Sequence, residues 1–184
     1  MTKIYLTEQS LEHDLKVIFP NCRIEPQYRI TPYKYDYAVY TTDGRKLLVE
    51  YDGFLHYQMS AQQRRDKTKD YLAKMHEFEI VRIPYFVQLE PRTIKILFGV
   101  DCEYEQIYPH GFISKDCKLP ADFNEGGIDR FVNIDLEKFS IIKEEIIQSL
   151  ANRKENSEEV WPCSLFVKYL NSEYGDYNNY NKNK

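Results

Sequence analysis

An apolar, β-branched run that ends abruptly in two carboxylates constrains this chain more than any other stretch. Leu47-Leu48-Val49-Glu50-Tyr51-Asp52 is followed at once by Gly53, which breaks the strand pattern, and then by Phe54-Leu55-His56. Side chains alternate faces along a strand, so Glu50 and Asp52 point the same way as Leu48, and Leu47, Val49 and Tyr51 take the other face. Two like charges on one face at the end of an apolar strand are costly unless something positive neutralises them. A divalent cation is an economical answer.

The preceding strand points to the same chemistry. Tyr35-Asp36-Tyr37-Ala38-Val39-Tyr40 is aromatic and β-branched, and Thr42-Asp43-Gly44 joins it to the strand carrying Glu50. Asp-Gly between two such runs predicts a hairpin. Antiparallel pairing about that turn sets Asp36 opposite the Glu50 and Asp52 end of its neighbour, so three acidic groups are expected to converge. Hard cations such as Mg2+ take oxygen ligands, usually a few carboxylates with water and substrate phosphate. Asp36, Glu50 and Asp52 are therefore the expected metal ligands.

This ordered set resembles the metal site of the PD-(D/E)XK nuclease superfamily. Over roughly residues 8 to 86, Glu50-Tyr51-Asp52-Gly53-Phe54-Leu55-His56, then Arg65-Asp66-Lys67 on a helix, then Ile80-Val81-Arg82-Ile83-Pro84-Tyr85, is similar to the very-short-patch-repair-like, restriction-endonuclease-like branch. The resemblance implies an α/β fold with a restriction-endonuclease-like core, a mixed central sheet flanked by helices in the order αβββαβ. It also implies a Mg2+-dependent endodeoxyribonuclease acting on double-stranded DNA, with Mn2+ able to substitute. One departure matters. Where many members carry lysine after Glu-x, this chain has Asp52, so His56 or Lys69 is expected to position or activate the attacking water, and in the repair-type branch a histidine at the His56 position is thought to serve. By the same analogy a first-helix glutamate, Glu12, can reach the site. A solvated helix-face charge is the competing reading for Glu12.

The rest of the chain sets limits. With 184 residues and 42% hydrophobic content, it can build one domain with a sizeable core, or a core domain with an appendage. The expected division is a nuclease core over 1–88, a C-terminal extension, mainly helical and irregular, packed on it over 89–174, and a disordered tail over 175–184. No apolar run approaches the ~20 residues that span a bilayer. The start lacks a signal-peptide pattern. Cys22, Cys102, Cys117 and Cys163 show no paired spacing, which suits reduced thiols and a cytoplasmic protein.

Periodicity places the elements. Leu11, Leu15, Ile18 and Phe19 predict a helix over 7–19, N-capped by Thr7 and stopped by Pro20. Residues 22–30 read as a strand. Ser60-Ala61-Gln62-Gln63 has capping-box spacing and should open a helix to about residue 75, with Leu72 and Met75 as its core face. Residues 78–83 read as a buried strand closed by Pro84. Pro91 and Gly99 bracket a helix over 92–98. Residues 101–130 are polar and turn-rich, with Gly126-Gly127 among the turns. Phe139, Ile142, Ile146 and Leu150 mark a further helix, and a short one is expected around 164–170.

Charge bears on how such a protein meets DNA. Residues 20–70 hold nine Lys and Arg against seven Asp and Glu, a net of +2 in a chain of net −4. Arg29, Lys34, Arg64, Arg65 and Lys67 are the expected nucleic-acid contacts, suited to backbone phosphates. Phosphate neutralisation supplies most non-specific affinity, and a net acidic chain is poorly equipped for it. A second protein subunit or a second copy is therefore expected, docked on the aromatics Tyr104, Tyr108, Phe112, Phe123 and Phe131 unless these fill an enlarged core. Three functions stay open: a restriction-type enzyme or catalytic subunit of a heteromeric one, a mismatch-repair-like nickase, and a non-catalytic DNA-recognition or interaction subunit.

Overall fold

The computed structural model describes residues 6–107, 111–113, 121–156 and 171–172. Helix α1 (Glu8–Ile18) precedes three strands, β1 (Arg23–Ile30), β2 (Tyr33–Tyr40) and β3 (Lys46–Asp52). A short helix, α2 (Leu55–Gln58), leads into α3 (Ser60–Met75) and strand β4 (Glu79–Pro84). The four strands form one sheet in sequence order, antiparallel at β1/β2 and β2/β3 and parallel at β3/β4. Among the described residues no helix is long and apolar enough to cross a membrane.

Local chemistry accounts for most of these boundaries. Thr7 caps α1, exchanging hydrogen bonds with Ser10. The hairpin closes where Gly44 takes φ +89°, its N–H donating to Thr41. Helix α4 (Pro91–Phe98) starts on proline and stops at Gly99, whose left-handed backbone (φ +72°) lets its N–H reach Lys95. The box expected at Ser60 does not form. Ser60 is already the first helical residue of α3, and the extended Met59 precedes it without a side-chain cap.

Strand alternation divides the core between two faces. Tyr37, Val39, Leu47, Val49, Val81 and Ile83 pack with Leu11 and Leu15 of α1 in one large cluster. Leu48, Ala38, Tyr35 and Ile30 pack with Ala73 of α3 and Phe78 in a smaller one. Phe112, Phe123, Phe131, Phe139 and Ile146 join the large cluster, so residues beyond position 88 complete the core rather than sit on it. Phe112 stacks on Phe86 at 5.0 Å between ring centroids, and Phe123 and Phe131 lie against Tyr57 and Phe86. These aromatics are core, not a docking face. Tyr104 is tied through its hydroxyl to Asp14, and Tyr108 lies outside the described residues.

The stretch 101–130, read from sequence as irregular, ends in a helix. Asn124 caps α5 (Glu125–Arg130) by accepting from the Gly127 N–H. Gly126-Gly127 is helical here, not a turn, and position 127 is held to glycine by a close approach. A Cβ on Gly127 would stand 1.8 Å from the Tyr57 carbonyl oxygen. A π turn (Phe131–Asp135), α6 (Leu136–Lys138), a 3₁₀ turn (Ser140–Ile142) and α7 (Lys143–Asn156) follow. The helix expected around 164–170 and the tail at 175–184 lie outside the described residues.

Candidate active site

The face of β3 that carries Glu50 and Asp52 is covered by α3, which meets it with a charged stripe. Asp66, Lys69 and Ala73 are the buried residues of that helix, spaced to share one face, and Asp70 lies beside them. Of the core face expected from Leu72 and Met75, Leu72 is half-buried and Met75 lies outside. Met75 is 63% exposed, because the inward side of α3 must answer carboxylates rather than hydrocarbon.

Asp36 and Glu50 come together where β2 and β3 part. Their ladder ends at Tyr37 opposite Val49, one step short of an Asp36–Glu50 pair. There the Asp36 carboxylate replaces a backbone partner and accepts the Tyr51 N–H at 2.7 Å. Glu50, 4% exposed, receives the Lys69 ammonium on Oε1 at 2.5 Å. That ammonium also lies over the Tyr35 ring, 4.6 Å from its centroid, while the Tyr35 hydroxyl donates to the Lys69 carbonyl at 2.8 Å. Tyr35 thus orients the lysine from both ends. Burial and the nearby Asp36 charge push the Glu50 carboxyl up to about 8 against the pull of Lys69.

Asp52 meets different company. It has no exposed surface; Arg82 Nη1 donates to Oδ1 at 2.8 Å and Arg130 Nη2 to Oδ2 at 2.5 Å. Burial alone would raise this carboxyl, but Arg82, Arg130 and His56 bring it down to about 2. It belongs to a buried lattice. Arg82 also binds Asp70 at 2.7 Å, and Arg130 lies over the Tyr57 ring at 4.5 Å. The Tyr57 hydroxyl donates to Asp135 at 2.7 Å, and burial pushes that carboxyl up to about 6 against Arg130 and Tyr57. The lattice joins β3, β4, α2, α3, α5 and the π turn.

The expected site residues therefore separate. Asp36, Glu50 and Lys69 are brought together, whereas Asp52 and His56 lie in the lattice. His56 Nδ1 is 2.7 Å from Asp66 and 3.3 Å from Asp52. Among the described residues no group of three His, Cys, Asp or Glu side chains is arranged to hold a metal, so the expected trio is not one ligand set. Glu12 pairs with Lys16 on its own helix at 2.7 Å, a surface contact. The buried acid of α1 is Asp14, bonded to Tyr104.

Arg29, Lys34, Arg64, Arg65 and Lys67 are all exposed. Arg29 and Lys34 stand directly opposite each other across the β1–β2 ladder, and Lys34 donates to Gln27 at 2.8 Å. Arg64, Arg65 and Lys67 line the outer face of α3, whose two acidic residues turn inward toward Arg82.

Sequence reasoning missed Arg82 and Arg130. Arg82 had a signal, since an arginine inside a strand read as buried requires a buried anion. Arg130 had none, being 78 residues from the carboxylate it binds. Comparison of this chain with family models, with curated proteins and with solved structures finds no match.

Proposed function

We propose that this protein is a metal-dependent DNA endonuclease whose reactive centre is Asp36, Glu50 and Lys69. The observation that carries this reading is the convergence of two carboxyls and one ammonium at the parting of β2 and β3, where Asp36 accepts the Tyr51 N–H and the buried Glu50 is in contact with Lys69. Such a carboxylate pair suits a hard divalent cation. Asp36 and Glu50 would hold Mg2+, or Mn2+ in its place, with water and substrate phosphate completing the shell. The bound ion would supply charge stabilisation to the phosphate and lower the pKa of a coordinated water.

The chain's own groups do the rest. Lys69, oriented by Tyr35, would serve as the lysine that the PD-(D/E)XK pattern carries two residues after glutamate, presented from α3 rather than from β3. Its ammonium can donate to a water or to a phosphate oxygen beside Glu50. Arg29 and Lys34 are like charges on directly opposed positions, which costs ~0.2–1 kcal/mol that a backbone phosphate relieves. The exposed cations of α3 extend that contact.

A second reading, a non-catalytic DNA-binding subunit, has one observation in its favour. Asp52 stands where the lysine would, with its oxygens taken by Arg82 and Arg130. The two readings separate in a plasmid-nicking assay with Mg2+, Mn2+ or EDTA, run with and without a candidate partner subunit. The hydrolytic reading expects metal-dependent nicking or linearisation that Asp36→Ala and Glu50→Ala abolish in a folded protein. Cleavage surviving in either variant removes the site from this sheet end.

A further inference from the structure

Helix α3 turns a face to solvent whose charges are all positive. Its buried positions are Asp66, Lys69 and Ala73, and its only two acids, Asp66 and Asp70, are held by Arg82. Arg64, Arg65, Lys67 and Lys74 are exposed, as are Thr68, Tyr71 and Met75. The acids that follow the helix are engaged elsewhere, Glu77 by Lys46 and Glu79 by Arg45. Among the described residues Arg64, Lys67 and Lys74 have no ion-pair partner, and Arg65 donates to the neutral Gln62 at 3.0 Å.

Two large apolar groups stand among these cations. Tyr71 is 62% exposed and Met75 63%, and a spacing of four residues sets them on one side of the helix. Lys67 lies four residues before Tyr71 and Lys74 three after it, so the ring has an ammonium on the turn to either side. Among the described residues Tyr71 has no hydrogen-bonding or ring partner. Phosphates alone would account for the cations but leave Tyr71 and Met75 facing water, because a duplex presents a charged backbone and keeps its base faces stacked inside. A single strand offers both phosphates and an open base face, and binding surfaces for it combine a cationic track with aromatic rings. From Arg64 to Lys74 the helix rises ~15 Å, about four nucleotides of a stacked strand.

We infer that the outer face of α3 binds single-stranded DNA, with phosphates on Arg64, Lys67 and Lys74 and a base stacked on the Tyr71 ring. The inference rests on the reading of this protein as a DNA enzyme and narrows its substrate to DNA that carries an unpaired strand. The strand surface is separate from the hydrolytic site, since Lys69 meets Glu50 from the buried side of the same helix.

The test is fluorescence anisotropy of the full chain in EDTA with a short oligodeoxynucleotide, its duplex, an RNA strand of the same sequence and an abasic strand of the same length. The DNA strand should bind most tightly, with a log–log salt slope of about −2 that loses ~0.7 with each of Arg64→Ala, Lys67→Ala and Lys74→Ala. Tyr71→Ala should weaken it roughly tenfold, and Tyr71→Phe, which keeps the ring, should not. The abasic strand, having no base to stack, should bind Tyr71→Ala and wild type alike. These positions are exposed, so the variants should keep the wild-type thermal midpoint. A duplex bound as tightly as the single strand, RNA bound more tightly than DNA, wild-type affinity in Tyr71→Ala, or an abasic strand weakened equally by that substitution overturns the inference. Loss of cleavage in Asp36→Ala bears on the hydrolytic site alone, so the two readings fail separately.

Discussion

Removing the Asp52 carboxylate should unfold this protein more readily, and the size of the effect follows from its surroundings. The side chain is fully buried between two guanidiniums that are themselves only 12% and 13% exposed. Its pKa falls from an ordinary 3.8 to about 2. At 1.36 kcal/mol per unit this corresponds to ~2.5 kcal/mol of stability at neutral pH. A depressed carboxyl contributes that stability above its unfolded pKa and loses it as pH falls through the folded one, here between 3.8 and about 2. Asp52→Ala goes further, leaving Arg82 and Arg130 buried without this counter-charge, a change that costs ~3–5 kcal/mol. For a chain of this length each kcal/mol moves the midpoint by ~2–4 °C, so a fall of ~6–20 °C is expected. Asp52→Asn keeps the volume and one acceptor and should fall at the lower end. Urea and thermal unfolding in EDTA at pH 7 measure this directly. Were Asp52 a metal ligand, its loss would relieve repulsion in EDTA and cost only stabilisation by Mg2+. An Asp52→Ala protein within ~0.5 kcal/mol of wild type in EDTA would refute the assignment of Asp52 to the lattice.

Three further expectations follow from the same geometry. Because the folded Glu50 carboxyl is raised, its contribution favours the fold below about 4.5 and is lost as pH rises toward about 8. Calorimetric Mg2+ affinity should therefore climb ~tenfold per pH unit and level off near pH 8, and Glu50→Gln should flatten that profile. Lys69→Ala should lower the cleavage rate by ~10²–10⁴ while His56→Ala acts mainly on stability; single-turnover kinetics showing the reverse order would return the water-positioning role to His56. Gly127→Ala should destabilise by ~1–3 kcal/mol in urea titration, against the usual gain from glycine to alanine in a helix, because the new methyl meets the Tyr57 carbonyl.

Much of the fold could be read from the chain because local signals agreed with tertiary need. Thr7, Asp43-Gly44, Pro91 and Gly99 act through the backbone within a few residues, and each bounds an element where expected. Alternation along Leu47 to Asp52 correctly set Glu50 and Asp52 on one face. It could not say that two steps along that face separate an acid paired with a lysine from an acid locked between arginines. That difference comes from α3 and α5, one 19 and the other 78 residues away. Helix α3 misled for the same reason, since a helix covering carboxylates carries its buried residues as charges and leaves Met75 outside. Phe112 and Phe123 show weak periodicity because they reach the core from turn and coil positions, where no repeat is required.

The account stands or falls on where a divalent cation sits. Mn2+ added substoichiometrically to 15N-labelled protein broadens amide resonances steeply with distance, so it maps the ion without relying on turnover. The amides of Asp36, Tyr37, Glu50, Tyr51 and Lys69 should broaden first, Mg2+ should reverse the effect, and Asp36→Ala or Glu50→Ala should remove it. Broadening centred on Asp101 to Glu105 or another acidic stretch, or an unchanged pattern in those variants, would contradict the site.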